Sequence, residues 1–128
     1  MNGNVYKGNW KKGKRDGLGT MKFASGNVYS GNWKDGKEDG FGTFKYADGA
    51  VYSGNFKEDL KDGKGTYSWP DGRFYKGNYK EDKKHGEGTM TYPDGRTEKE
   101  FWINGVKQIV PGDVDVPTFN VDAPEFIP

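Results

Sequence analysis

Apolar and polar residues alternate in twos along this chain. In Val28-Tyr29-Ser30-Gly31-Asn32-Trp33, residues 29, 31 and 33 fall on one face of an extended strand and 28, 30 and 32 on the other. In Gly42-Thr43-Phe44-Lys45-Tyr46, Phe44 and Tyr46 share a face with Lys45 opposite. The pattern predicts two short strands with aromatic faces, and no stretch shows helical periodicity. Between the second strand and the next first strand stand Ser25-Gly26, Asp48-Gly49, Asp71-Gly72 and Asp94-Gly95. Asp-Gly between alternating strands predicts a primed hairpin turn, where glycine takes a positive φ without penalty. Pro70 and Pro93 precede two of these turns, at strand ends where a missing N–H is tolerated. The other connection, Lys34 through Gly40, is longer, charged and glycine-containing, and reads as a surface loop.

The alternation is itself repeated with a period of 23 residues. Gly8, Gly31, Gly54 and Gly77 form one series, Gly17, Gly40, Gly63 and Gly86 a second, and Gly19, Gly42, Gly65 and Gly88 a third. Gly13, Gly36 and Gly105 belong to a further series in which Asp59 and Asp82 substitute. Aromatic residues keep the same phase: Tyr6, Tyr29, Tyr52 and Tyr75; Trp10, Trp33, Phe56, Tyr79 and Trp102; Phe23, Tyr46, Trp69 and Tyr92. Such an array buries its apolar surface by stacking neighbours, since one repeat cannot do so alone. Gly31, between Tyr29 and Trp33, leaves a slot in which a ring can lie flat on the backbone. Each repeat is therefore read as rings stacked over the glycine slots of neighbouring strands.

Composition alone pulls the other way. Leu, Ile, Val and Phe supply only 21 of 128 residues, a disorder-like share. Against that, the formal net charge is only +1 and 20 residues are Phe, Trp or Tyr, enough large side chains to bury. The length allows one small domain and a tail. Without cysteine there is no disulfide and no thiolate nucleophile, and a metal site would have to draw on one histidine and carboxylates. The lack of a long apolar run, and of a signal-like apolar segment at the N-terminus, leads to the expectation of a soluble cytoplasmic protein.

The unit Tyr29-x-Gly31-x-Trp33, a charged turn, Gly40-x-Gly42, a short strand and Asp48-Gly49 resembles the MORN repeat (membrane occupation and recognition nexus). Four copies and a fifth half-copy span about residues 2 to 105. The resemblance implies an all-β fold: a single-layer, elongated, twisted antiparallel sheet of tandem hairpins with an open groove, and no enzymatic reaction. The expected division is a repeat array over 1–110 and a non-repeat tail over 111–128. Tyr6, Trp10, Tyr29, Trp33, Tyr52, Phe56, Tyr75 and Tyr79 are the expected partner groove. In the fifth copy Glu98 and Glu100 replace the tyrosine and the in-strand glycine, charges that suit a terminal strand blocked against edge pairing. The N-terminal edge, Val5-Tyr6-Lys7-Gly8-Asn9-Trp10, is expected to be less protected, with no preceding partner strand, and is a candidate contact for a second copy or another partner.

Charge separates array from tail. Residues 111–128 contain four acids, four prolines and no base, with Val114, Val116, Phe119, Val121, Phe126 and Ile127 spaced along them. Such a segment can dock in extended form on its own array, on a second copy or on a partner, or act as a simple linker. Six bases and one acid lie in residues 1–24, whereas 25–110 balances at 14 against 14.

No nucleophile–base pair is visible, and no catalytic role or cofactor is expected. His85 reads as a solvated turn residue. Gly17-Leu18-Gly19 lacks the third glycine and the following helix of a phosphate loop. Loop acids such as Asp35, Glu38 and Asp39 lack calcium-loop spacing. Lys11-Lys12-Gly13-Lys14-Arg15 is a basic cluster, but the neutral remainder carries no basic stripe, so nucleic acid is not an expected partner. Two functions stay open. One is a scaffold holding protein partners, in a ciliary, axonemal or other cytoskeletal assembly; Lys83–Thr89 and Tyr92–Gly95 resemble copies in ciliary, radial-spoke-type members. The other is weak targeting to an anionic, phosphoinositide-bearing membrane surface through Lys11, Lys12, Lys14, Arg15 and Lys22, for which ordinary solvated charge is the plain alternative.

Overall fold

A computed structural model describes residues 3–109, and the docking segment expected over 111–128 lies outside them. The described chain forms one antiparallel sheet of ten strands in sequence order: β1 (Val5–Lys11), β2 (Lys14–Lys22), β3 (Val28–Lys34), β4 (Lys37–Lys45), β5 (Val51–Lys57), β6 (Leu60–Ser68), β7 (Phe74–Lys80), β8 (Lys83–Thr91), β9 (Thr97–Ile103) and β10 (Val106–Lys107). It is an all-β, open, single-layer sheet with no helix among the described residues.

Each repeat pairs a seven-residue strand with a nine-residue one, as in β3 and β4. The mismatch is taken up by a bulge: Gly31 pairs with Gly42 and Trp33 with Glu38, so the register shifts across Asn32. Asn32 Nδ2 donates to the Phe41 carbonyl at 3.1 Å. Gly40, opposite this shift, takes a φ of +100°, which explains the first glycine of each Gly-x-Gly.

The two connections exchange the roles expected of them. The charged segment 34–40 is not a loop. Lys34 pairs with Lys37, so Asp35-Gly36 is a two-residue turn with φ of 50° and 86°, and residues 37–40 are already strand. Both central residues are left-handed, which is the primed turn. At Tyr46-Ala47-Asp48-Gly49 only Gly49 has positive φ, Gly49 N–H donates to the Tyr46 carbonyl at 3.0 Å, and Asp48 Oδ1 accepts from Ala50 N–H at 2.9 Å. This is the longer hairpin built on an ordinary turn with a left-handed glycine after it. Pro70 occupies the second place of the equivalent turn, where its fixed φ suits the geometry, rather than a strand end.

The core is one row of rings on one face of the sheet, called the front here. Pairing places Gly8, Gly19, Gly31, Gly42, Gly54, Gly65, Gly77 and Gly88 side by side across successive strands, ending at Glu100. A Cβ on Gly42 would run into the Tyr29 ring, and one on Gly65 into the Tyr52 ring. Tyr29, Tyr52 and Tyr75 are fully buried although the sheet has a single layer. Edge-to-face contacts continue the row: Tyr29 lies 5.1 Å from Trp33 and 5.0 Å from Phe56, and Tyr52 5.2 Å from both Phe56 and Tyr79.

Candidate functional site

Six of the eight expected groove residues, Tyr29, Trp33, Tyr52, Phe56, Tyr75 and Tyr79, are buried in this core, so their rings offer a partner little or no surface. Their rings are spent on glycines and on one another. Burial pushes the Tyr75 phenol up to about 12, and the phenols of Tyr29, Tyr52 and Tyr79 further still. Tyr6 is half-buried and Trp10 is 59% exposed, so only the start of the row is accessible.

A second row on the front face is open. Phe23, Phe44, Tyr46, Tyr67, Trp69 and Tyr92 pack against the core while remaining partly exposed. Ring centroids are 5.9 Å apart for Phe23–Phe44, 4.7 Å for Phe44–Tyr46, 5.6 Å for Tyr46–Tyr67 and 4.9 Å for Tyr67–Trp69. These residues come from the second strand of each repeat and the turn after it. Their periodicity was legible; their exposure was not, because alternation assigns a face without saying which rings on it are covered. An apolar row backed by a packed core offers little flexibility and much contact area.

Cations are set among the rings. Lys61 Nζ lies 5.7 to 5.9 Å from the ring centroids of Tyr46, Tyr52, Tyr67 and Tyr79. Lys84 Nζ is 4.4 Å from those of both Tyr75 and Trp102, and burial pulls its pKa down. The expected lipid patch does not form one surface. Lys11, Lys12 and Lys14 are exposed around the β1–β2 tip. Arg15 is half-buried, with Nη2 donating to the Gly36 carbonyl at 2.8 Å and its guanidinium 4.8 Å from the Trp33 ring centroid. Lys22 sits at the far end of β2, opposite Val5, away from the tip.

Two further readings change. Glu100 is not an exposed blocking charge: it is buried, accepts from Trp102 Nε1 at 3.0 Å and pairs with Lys107 at 3.5 Å. β10 lies along part of β9, and Glu98, which is exposed, accepts from the Tyr92 hydroxyl at 2.9 Å. His85 is no solvated turn residue. It lies in β8, and its Nδ1 accepts from Asn104 N–H at 3.1 Å, as Asp16, Asp39 and Asp62 accept from the turns that follow them. Among the described residues no group of three His, Cys, Asp or Glu side chains is placed to hold a metal ion.

The family model for the MORN repeat matches residues 6–28, 29–51, 52–72 and 75–95, well over half of the chain. The chain belongs to the MORN-repeat family. Each matched segment of the MORN array begins at the tyrosine that lies on the glycine row, Tyr6, Tyr29, Tyr52 or Tyr75, so the family pattern and the ring-on-glycine core describe one unit. MORN repeats are generally non-enzymatic structural modules, associated with protein binding or membranes. No curated protein matches the chain.

Proposed function

We propose that this MORN array is a non-enzymatic scaffold module that holds protein partners against the open aromatic row of its front face and at its sheet edges, within a cytoplasmic assembly of the cytoskeleton or cilium. The observation that carries the reading is the partly exposed row Phe23, Phe44, Tyr46, Tyr67, Trp69 and Tyr92, seated on a core already filled by other rings. Exposed rings on a pre-ordered support lose little conformational entropy on binding. At the N-terminal side, β1 pairs only with β2 among the described residues, and Val5 and Trp10 are exposed, which suits edge contact with a second copy or another chain. The ciliary setting, of radial-spoke type, draws on the resemblance of Lys83–Thr89 and Tyr92–Gly95 to ciliary copies. The apolar tail residues Val114, Val116, Phe119, Val121, Phe126 and Ile127 are proposed as an additional docking segment.

A membrane-surface role is the second reading, and Trp10 beside the exposed Lys11, Lys12 and Lys14 favours it. Each base near an anionic surface contributes about 1 kcal/mol, so three give weak, reversible attachment. Extraction of the tagged protein from its native cells separates the two. Retention in the pellet after detergent, with release by high salt or not at all, is the result expected of a scaffold. Release by detergent alone, with loss of anionic-liposome binding on charge reversal of Lys11, Lys12 and Lys14, would transfer the assignment to the membrane.

A further inference from the structure

Residues 15, 38, 61, 84 and 107 hold one position of the 23-residue register, each opposite the Trp/Phe/Tyr that ends its neighbour's aromatic face. Arg15, Lys61, Lys84 and Lys107 are cations, and the first three lie over rings as described above. The array thus supplies its own positive charge to the negative faces of its rings. The second repeat supplies Glu38 instead.

Glu38 is 5% exposed, and among the described residues no hydrogen bond or ion pair reaches its carboxyl group. Only its main chain is engaged: the N–H donates to Asp59 Oδ1 at 2.8 Å, and the carbonyl accepts from Asp59 N–H at 2.9 Å. The bases on either side in the row are committed elsewhere. Arg15 donates to the Gly36 carbonyl, while Lys61 Nζ donates to the Tyr46 hydroxyl at 3.3 Å and pairs with Asp82 at 3.6 Å. Burial, then the charges of Asp59 and Asp82, hold the Glu38 carboxyl well above the usual range, with Arg15 opposing. Its charge is felt in turn by the phenols of Tyr29 and Tyr46. This carboxyl, on a residue that is itself buried and close enough to feel the charges of two further acids, lacks the cation that its counterparts provide.

We propose that the Glu38 position is a receptor site for one basic side chain of a bound protein. A lysine ammonium or arginine guanidinium approaches the Glu38 carboxyl group from the hairpin-tip rim of the front face, displaces its proton to solvent and pairs with the resulting carboxylate, near Asp59 and Asp82 and next to the open ring of Tyr46. The inference rests on the reading that this face binds protein, and it narrows the partner segment to one carrying a base at that point. Charge complementarity sets the occupant, and it adds specificity where the aromatic row supplies contact area.

The test is a titration of the full-length protein with n-butylammonium and with n-propylguanidinium, with 1-butanol as the uncharged control, followed by the NMR resonances of Glu38, Tyr29 and Tyr46. Saturable shifts with both cations and none with butanol are expected. Glu38→Gln should weaken both by about tenfold or more. Glu38→Lys, which copies the residue of the third and fourth repeats, should melt no lower than the parent and show no titration. Either variant suffices if the other fails to fold, as thermal melting will show. Shifts unchanged by these substitutions, shifts equal with butanol, or no saturable shift in the folded parent would overturn the site. Partner binding that survives Glu38→Gln undiminished would remove this site yet leave the scaffold standing; an intact cation titration with no front-face partner would do the reverse.

Discussion

Tyr6, Tyr29 and Tyr52 donate their hydroxyls to the carbonyls of Asn9, Asn32 and Asn55 at 2.8, 2.8 and 3.0 Å, whereas the Tyr75 hydroxyl is buried with no partner among the described residues. The same residue in the same register therefore carries a satisfied donor in one repeat and an unsatisfied one in another. Tyr29→Phe should lower unfolding stability by about 1 kcal/mol, and Tyr75→Phe should leave it unchanged or raise it, both read by chemical denaturation. A larger loss at Tyr75 than at Tyr29 would contradict the assignment. Glu38 supplies a pH signature. Its ordinary pKa is 4.5 and its folded value is about 8, so between these limits the native state holds a proton that the unfolded chain has released. Stability from this group is present below pH 4.5 and declines as pH rises to about 8. Glu38→Gln should flatten that decline by about 2 kcal/mol, less than the full shift implies because water reaches the rim of an open sheet; equal slopes in parent and variant would exclude it.

At the scale of the hairpin, glycines with the same periodicity do unlike work. A Cβ on Gly54 would collide with the backbone of Gly65 and Lys64, whereas one on Gly13 meets nothing within 4 Å and pays only for a φ of +79°. Gly54→Ala should lower stability by more than about 3 kcal/mol, and Gly13→Ala by about 1 kcal/mol, in thermal melts of the two variants. The period, the strand faces and the glycine slot for a ring were all readable from spacing, because each is a consequence of alternation repeated in register. The turns were not. Asp35-Gly36 and Asp48-Gly49 present the same dipeptide, and which one forms the two-residue turn depends on the bulge at Asn32. That bulge brings Glu38 onto the front face, so a residue that reads as loop charge becomes a buried carboxyl. The break in the series Arg15, Glu38, Lys61, Lys84, Lys107 was present in the sequence and is the signal that points to it. Asp59 and Asp82, at φ of 73° and 74°, replace turn glycines because their carboxylates accept the N–H of Glu38 and Lys61 in the preceding repeat.

Across the described sheet, each strand pairs only with its sequence neighbours and ring contacts reach no further than the adjacent repeat, so stability is shared repeat by repeat rather than held in one central core. Amide exchange should be slowest in β4–β7 and progressively faster toward β1 and β9; uniform protection would argue against this division. The open aromatic row crosses the same middle strands, which places the binding surface over the firmest part of the sheet. The decisive comparison is partner retention by the full-length protein and by a Tyr46→Ser, Trp69→Ser, Tyr92→Ser variant, each crosslinked and purified side by side from its native cells, with melting curves to show that both fold. Loss of the crosslinked partners from the folded variant is the expected result. Equal retention by the two proteins would contradict the assignment of binding to this face.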